Sequence, residues 1–104
     1  MWTQIIKTRV KPGKDAELEA LMNEFKTHER PGSGLVRSTT ARDQNDPNVL
    51  YMIVTFESEE KARIREQDAE RQEGLANAKQ LMADIFEGPP EFIDLNVVAE
   101  HTGT

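Results

Sequence analysis

The sequence predicts one α+β domain in which helices pack on a four-stranded antiparallel sheet. Three observations predict it. Stretches of β-forming residues and amphipathic helical stretches follow one another in the order β-α-β-β-α-α-β. The junctions between them carry turn or cap residues. The length, 104 residues, suits a single domain with a modest core.

Residues Thr3 to Val10 read as the first strand, with Ile5, Ile6 and Val10 beside the β-formers Thr3 and Thr8. Lys11-Pro12-Gly13-Lys14 breaks it, because proline lacks a donor and glycine permits a tight turn. From Asp15 to about Glu29 the period becomes helical, with Leu18, Leu21, Met22 and Phe25 on one stripe. Asp15 is placed to cap that helix or to complement its N-terminal dipole. Arg30-Pro31-Gly32-Ser33-Gly34 ends the helix, and Leu35 to Arg42 reads as the second strand. Asp43-Gln44-Asn45-Asp46-Pro47-Asn48 is a hairpin loop by composition.

Val49 to Phe56 is the clearest strand. Its two faces, Val49/Tyr51/Ile53 and Leu50/Met52/Val54/Phe56, are both apolar, so both call for cover. Ser58 is the N-cap of a polar helix expected to run to about Glu73, where Gly74 breaks it. A second amphipathic helix follows, carrying Leu75, Ala78, Met82 and Ile85 on one stripe. Gly88-Pro89-Pro90 is expected to stop it, and Phe92 to Val98 to form the last strand. The domain is expected to occupy residues 1–100, with 101–104 a tail.

With the two later helices counted as one crossover, the order is a doubled βαβ, the ferredoxin-like arrangement. Two helical stripes cover one face of a four-stranded sheet, yet at least two strands are apolar on both sides. The simplest cover for the second face is the same face of another copy, which predicts a homodimer closing as an α+β barrel.

The formal net charge of −6 argues against nucleic acid and anionic membrane surfaces as partners. No stretch approaches the roughly 20 apolar residues of a membrane helix. No signal-peptide pattern opens the chain, so the expected location is cytoplasmic. There is no cysteine, which removes disulfides, thiolate metal sites and cysteine nucleophiles together. The two histidines, His28 and His101, lie far apart without ligand-like spacing, so no metal is expected. No glycine-rich phosphate loop and no nucleophile elbow is present.

Several local patterns together resemble a known family. Val10-Lys11-Pro12-Gly13-Lys14 links strand to helix, and Pro31-Gly32-Ser33-Gly34-Leu35 leads into strand two. Tyr51 through Phe56-Glu57-Ser58-Glu59-Glu60 ends strand three, and Gly88-Pro89-Pro90 precedes the last strand. The chain resembles, over nearly its whole length, the antibiotic-biosynthesis-monooxygenase-like family of dimeric α+β barrels. The resemblance implies a pocket between sheet and helices for a small aromatic or quinol-like metabolite, oxidised without flavin, metal or other cofactor. An electron-rich phenolate can itself reduce dioxygen, and the protein's part is deprotonation, positioning and water exclusion. Many members carry Glu-x-Trp near the end of strand three and His early in the next helix, where this chain holds Val54, Phe56 and Arg65. The haem-degrading branch needs an axial histidine on that helix, and none lies between Ser58 and Ile85.

The resemblance implies a pocket lined by Tyr51, Phe56, Arg65 and Met82. Tyr51 is the candidate to orient or deprotonate a phenol; as a core aromatic its hydroxyl needs only one partner. Arg65 is a candidate anion clamp or oxyanion stabiliser. In the plainer reading it belongs, with Gln67, Asp68, Arg71 and Gln72, to a solvated helix laced with ion pairs. Arg37 and Thr39 share one face of strand two, where Arg37 suits an anionic substrate or a salt bridge across a dimer. Asn96 shares a face of the last strand with Asp94 and suits a ligand or a dimer border. His28 suits the C-terminus of the first helix, and Trp2 a rim or dimer edge. Two non-catalytic readings stay open: a dimeric ligand-binding module, and an accessory subunit whose own side chains fill the pocket.

Overall fold

The computed structural model describes residues 1–103. The strands are β1 (Trp2–Val10), β2 (Leu35–Arg42), β3 (Val49–Phe56) and β4 (Phe86–Asn96). The helices are α1 (Asp15–Thr27), α2 (Glu59–Glu66), α3 (Ala69–Gly74) and α4 (Ala76–Ile85). The strands form one antiparallel sheet in the order β2-β3-β1-β4, the ferredoxin-like arrangement. The bounds of β2 and β3 coincide with the sequence reading.

Local chemistry sets the helix ends. Gly13 takes a positive φ of 78° in the turn before α1, where a side chain would be strained. Asp15 is the first helical residue and makes no capping bond; with Glu17 it complements the positive helix terminus. Ser58 caps α2 by accepting from the Lys61 N–H at 3.2 Å. The polar helix expected to run to Glu73 is in fact two. Asp68 accepts from the backbone N–H groups of Glu70 and Arg71 and so starts a new helix at Ala69.

The last strand also departs from expectation. β4 starts at Phe86, directly after α4, and contains Gly88-Pro89-Pro90 instead of following it. It is an edge strand, so prolines are tolerated where no second ladder needs their donors. The register of β4 on β1 slips between Lys7 and Arg9, which pair with Glu91 and Glu87, so the bulge takes up the extra residues. Beyond Asn96, Val97 donates to the Met1 carbonyl at 3.2 Å and Glu100 pairs with Arg37. Thr104, the end of the expected tail, lies outside the described residues.

Register separates the two faces. Trp2, Ile6, Thr8 and Val10 of β1 pair with Phe56, Met52, Leu50 and, on β4, Phe86, and these residues face the helices. The main core joins Val10 and Leu50 to Leu18 and Leu21 of α1, Leu75, and Ala78 and Ile85 of α4. A smaller cluster joins Trp2, Phe56 and Ala62. Trp2 is 4% exposed, so it is a core residue and not a rim anchor. Its ring lies 6.1 Å from that of Phe56, with the Arg63 guanidinium 5.0 Å above it.

Among the described residues no helix covers the opposite face. There Ile93, Ile5, Ile53 and Thr39 lie in one row across all four strands. Ile53 and Ile93 are 37% and 39% exposed in the single chain.

Candidate functional site

The helix layer does not close fully on the sheet. Between them lies a cavity of about 1070 Å³. Its floor is Ile6, Thr8, Met52 and Val54 from the central strands, with Ser38 and Thr40 from β2 and Phe92 from β4. Its roof is Met22 and Phe25 of α1 and Met82 of α4, and its polar margin comes from Glu29, Arg65, Arg71 and Gln72. Small side chains on β2 create the space. Ser38 and Thr40 stand opposite Val54 and Met52, where larger residues would reach the helices.

Alternation along the strands divides the residues expected to form one site. Arg65 and Met82 line the cavity, and Phe56 lies buried beneath Arg65, whose guanidinium is 5.3 Å from its ring centre. Tyr51, Arg37 and Thr39 do not reach it. Tyr51 pairs with Lys7 and Ala41 on the helix-free face, and the Lys7 ammonium lies 5.8 Å from its ring. Arg37 and Thr39 share that face, and Arg37 is held by Glu100 at 2.9 Å. Asn96 pairs with Trp2 at the far end of the sheet, exposed and outside the cavity lining. His28 is the C-cap of α1, 3.3 Å from Glu24. Its ring covers Gly74, where a Cβ would come within 2.6 Å of Nδ1.

The charges at the cavity margin are organised around Glu29. Arg65 donates to both of its carboxylate oxygens, from Nε at 3.2 and 3.1 Å and from Nη2 at 2.5 Å. Burial pushes the Glu29 carboxyl up, but the hydrogen bonds from Arg65 and Ser33 and the nearby Arg71 outweigh it, so its pKa lies below the usual range. Arg71 is shifted the other way for a guanidinium, down, by burial first and by the neighbouring Arg65 charge second. It forms no ion pair or side-chain hydrogen bond among the described residues.

On the floor, the Thr8 hydroxyl is buried without a partner, in a residue 6% exposed. Such a group costs about 1–3 kcal/mol. It sits where the β1–β4 register slips.

Among the described residues no group of three or more His, Cys, Asp or Glu side chains could hold a metal ion. Among the described residues no helix is long and apolar enough to cross a membrane.

The sequence model of the antibiotic biosynthesis monooxygenase family matches residues 1–77, from β1 into the start of α4. The chain belongs to the antibiotic biosynthesis monooxygenase family. No curated protein matches the sequence significantly. Solved structures share the fold of this family member along almost its whole length. A Nitrosomonas europaea protein, provisionally named an antibiotic biosynthesis monooxygenase, is 18% identical with a TM-score of 0.75, covering 95% of this chain and 100% of its own. A Bordetella bronchiseptica protein of the same provisional name is 21% identical with a TM-score of 0.74, covering 94% and 97%. Rv0793 from Mycobacterium tuberculosis is 14% identical with a TM-score of 0.74, covering 97% and 98%.

In this member of the antibiotic biosynthesis monooxygenase family, the described cavity lining contains neither histidine nor tyrosine. Val54, at the expected glutamate place, is part of the floor, and Arg65, at the expected histidine place, is bound to Glu29. Sequence reasoning passed over Thr8, Glu29 and Phe92, and it grouped Arg71 with the solvated residues. One local signal marks Arg71. Positions 67 and 75, four residues either side, are Gln67 and Leu75, so no acid stands at i±4; the acid at i−3, Asp68, gives its carboxylate to the backbone N–H groups of α3. Arg63, by contrast, has Glu59 four residues before it and Glu66 three after, and binds both at 3.1 Å.

Proposed function

We propose that this chain is a cofactor-independent monooxygenase-like enzyme for a small aromatic or quinol-like metabolite. The observation that carries the proposal is the open, largely apolar cavity of about 1070 Å³ between sheet and helices, in a chain of this family. The cavity volume is enough for a ligand of one to three rings. In such a reaction a phenol loses its proton and reduces dioxygen directly. One oxygen atom enters the ring as a carbonyl, the other leaves as water, and the substrate supplies the electrons. The chain's own part is to hold the ring against Met52, Met82 and Phe92, to exclude water, and to balance the phenolate charge with Arg65 and Arg71. Tyr51 has no part in this scheme, because it lies on the other face of the sheet.

Oxygen-electrode assays with 1,4-naphthohydroquinone are expected to show uptake well above spontaneous autoxidation. Met82→Trp, which places an indole in the cavity, should bring it back to the spontaneous rate. Uptake at the spontaneous rate with the wild-type chain would sink the catalytic reading. If the quinol nevertheless binds, the non-catalytic ligand-binding reading takes its place. That reading draws on the lining's lack of histidine and tyrosine to serve as a general base. A self-filled accessory subunit fits poorly with so large a space.

We also propose that the helix-free face pairs with its copy in a homodimer. The row Ile93-Ile5-Ile53 is apolar and shares its face with Lys7, Glu91 and Arg37, a pattern suited to a self-complementary interface. Sedimentation analysis should give twice the chain mass for the wild type and a folded monomer for Ile53→Asp. A wild-type monomer at millimolar concentration would rule this out.

A further inference from the structure

The charge of the cavity margin opposes that of the whole chain. Lys26, Arg65, Arg71 and Lys79 against Glu29 and Glu66 leave the lining at +2, in a chain of net charge −6. The acids nearby are committed. Glu29 is bound to Arg65, and Glu66 to Arg63 at 3.1 Å. Asp68 accepts the capping N–H groups of α3 and lies 4.0 Å from Arg30. Arg71 is partly buried beside this pair and lines both the cavity and the adjoining groove at Pro31. Glu29, Asp68 and Glu66 act on its charge from nearby, yet among the described residues it makes no ion pair or side-chain hydrogen bond.

A neutral ligand entering the cavity would strip water from Arg71 and return at best an uncharged hydrogen bond. A guanidinium so desolvated is costly, whereas one meeting a carboxylate makes two charge-assisted hydrogen bonds.

We infer that the cavity selects an acidic aromatic ligand, its carboxylate held by Arg71 at the margin and its ring on the apolar floor. This rests on the proposal above that the cavity is the ligand site, and it narrows the substrate class from quinol-like compounds in general to those bearing an acid group.

Titration calorimetry with 2-naphthoate and 2-naphthamide tests it, since the two share a ring and differ in head-group charge. The wild-type chain should bind the acid ten- to a hundredfold more tightly than the amide. Arg71→Gln should lower acid binding to the amide level and leave amide binding unchanged, and Arg71→Lys should restore part of the preference. Equal wild-type affinities, or a preference that survives Arg71→Gln, would overturn the inference while the cavity reading stands. Failure of both probes to bind would overturn both. The wild-type comparison needs no variant, so a folding defect in Arg71→Gln does not shield the idea.

Discussion

Leu21→Ala is expected to destabilise the fold by about 3 kcal/mol, the middle range for deleting a fully buried leucine. Leu21 is 0% exposed and sits in the cluster that joins α1 to α4 and to the centre of the sheet. Its neighbours Ala78 and Ile85 are also 0% exposed and belong to a helix already packed on α1. They have little freedom to collapse into the void, so the lost transfer energy and the cavity term both count. For a domain of this size the melting temperature should fall by roughly 12–24 °C. The neighbouring residue is the control. Met22 lines the existing cavity instead of a closed core, so Met22→Ala should cost only about 1 kcal/mol, because it removes contacts on one side. Thermal melts of the two variants decide the matter. Equal losses would mean that the space beneath α1 is packed in solution and that the ligand cavity is absent.

The second large effect is expected at Glu29. Glu29→Gln removes the carboxylate that binds Arg65 and acts on Arg71, and it should cost about 1–2 kcal/mol at neutral pH, a figure that allows for solvent reaching the pair. The effect has a sign in pH. The Glu29 carboxyl is held below its ordinary value in the folded chain, burial opposing and Arg65 prevailing. Its contribution is therefore complete above the unfolded pKa of about 4.3 and is lost as pH falls through the lower folded value. The stability difference between wild type and Glu29→Gln, measured by urea unfolding, should be constant from pH 6 to 8 and shrink towards zero in acid. A difference independent of pH down to 3 would show that Glu29 acts through packing and not through its charge. The same substitution frees Arg65 and makes the cavity margin one charge more positive, so binding of 2-naphthoate should tighten several-fold even as the fold weakens.

The sheet was almost fully legible in the residues. Leu35 to Arg42 and Val49 to Phe56 have β-formers bounded by dense turn residues, and hydrogen bonding adds nothing that contradicts them. The last strand was misread because Gly88-Pro89-Pro90 looks like a stop. Only its edge position, with the bulge at Thr8, lets prolines stay in the strand. The single polar helix became two because Asp68, equally at home on a solvated face, turned its carboxylate to the backbone instead.

For the candidate site, local pattern carried part of the answer. Alternation by itself placed Tyr51 with Val49 and Ile53 and apart from Met52, Val54 and Phe56, because successive side chains in a strand point to opposite faces. Both sets are apolar, so the pattern alone assigned neither to the helices, and that choice fell to the tertiary structure. Arg65 and Glu29 lie 36 positions apart and meet only when α2 folds back past the end of α1. Their pairing is what leaves Arg71 without a partner. The amino-acid sequence determined the strands, the apolar stripes and the charges, all of which are properties of neighbours along the chain. Which face became a cavity, and which guanidinium stayed free at its margin, depended on contacts between residues distant in sequence, and only the folded chain brings those together.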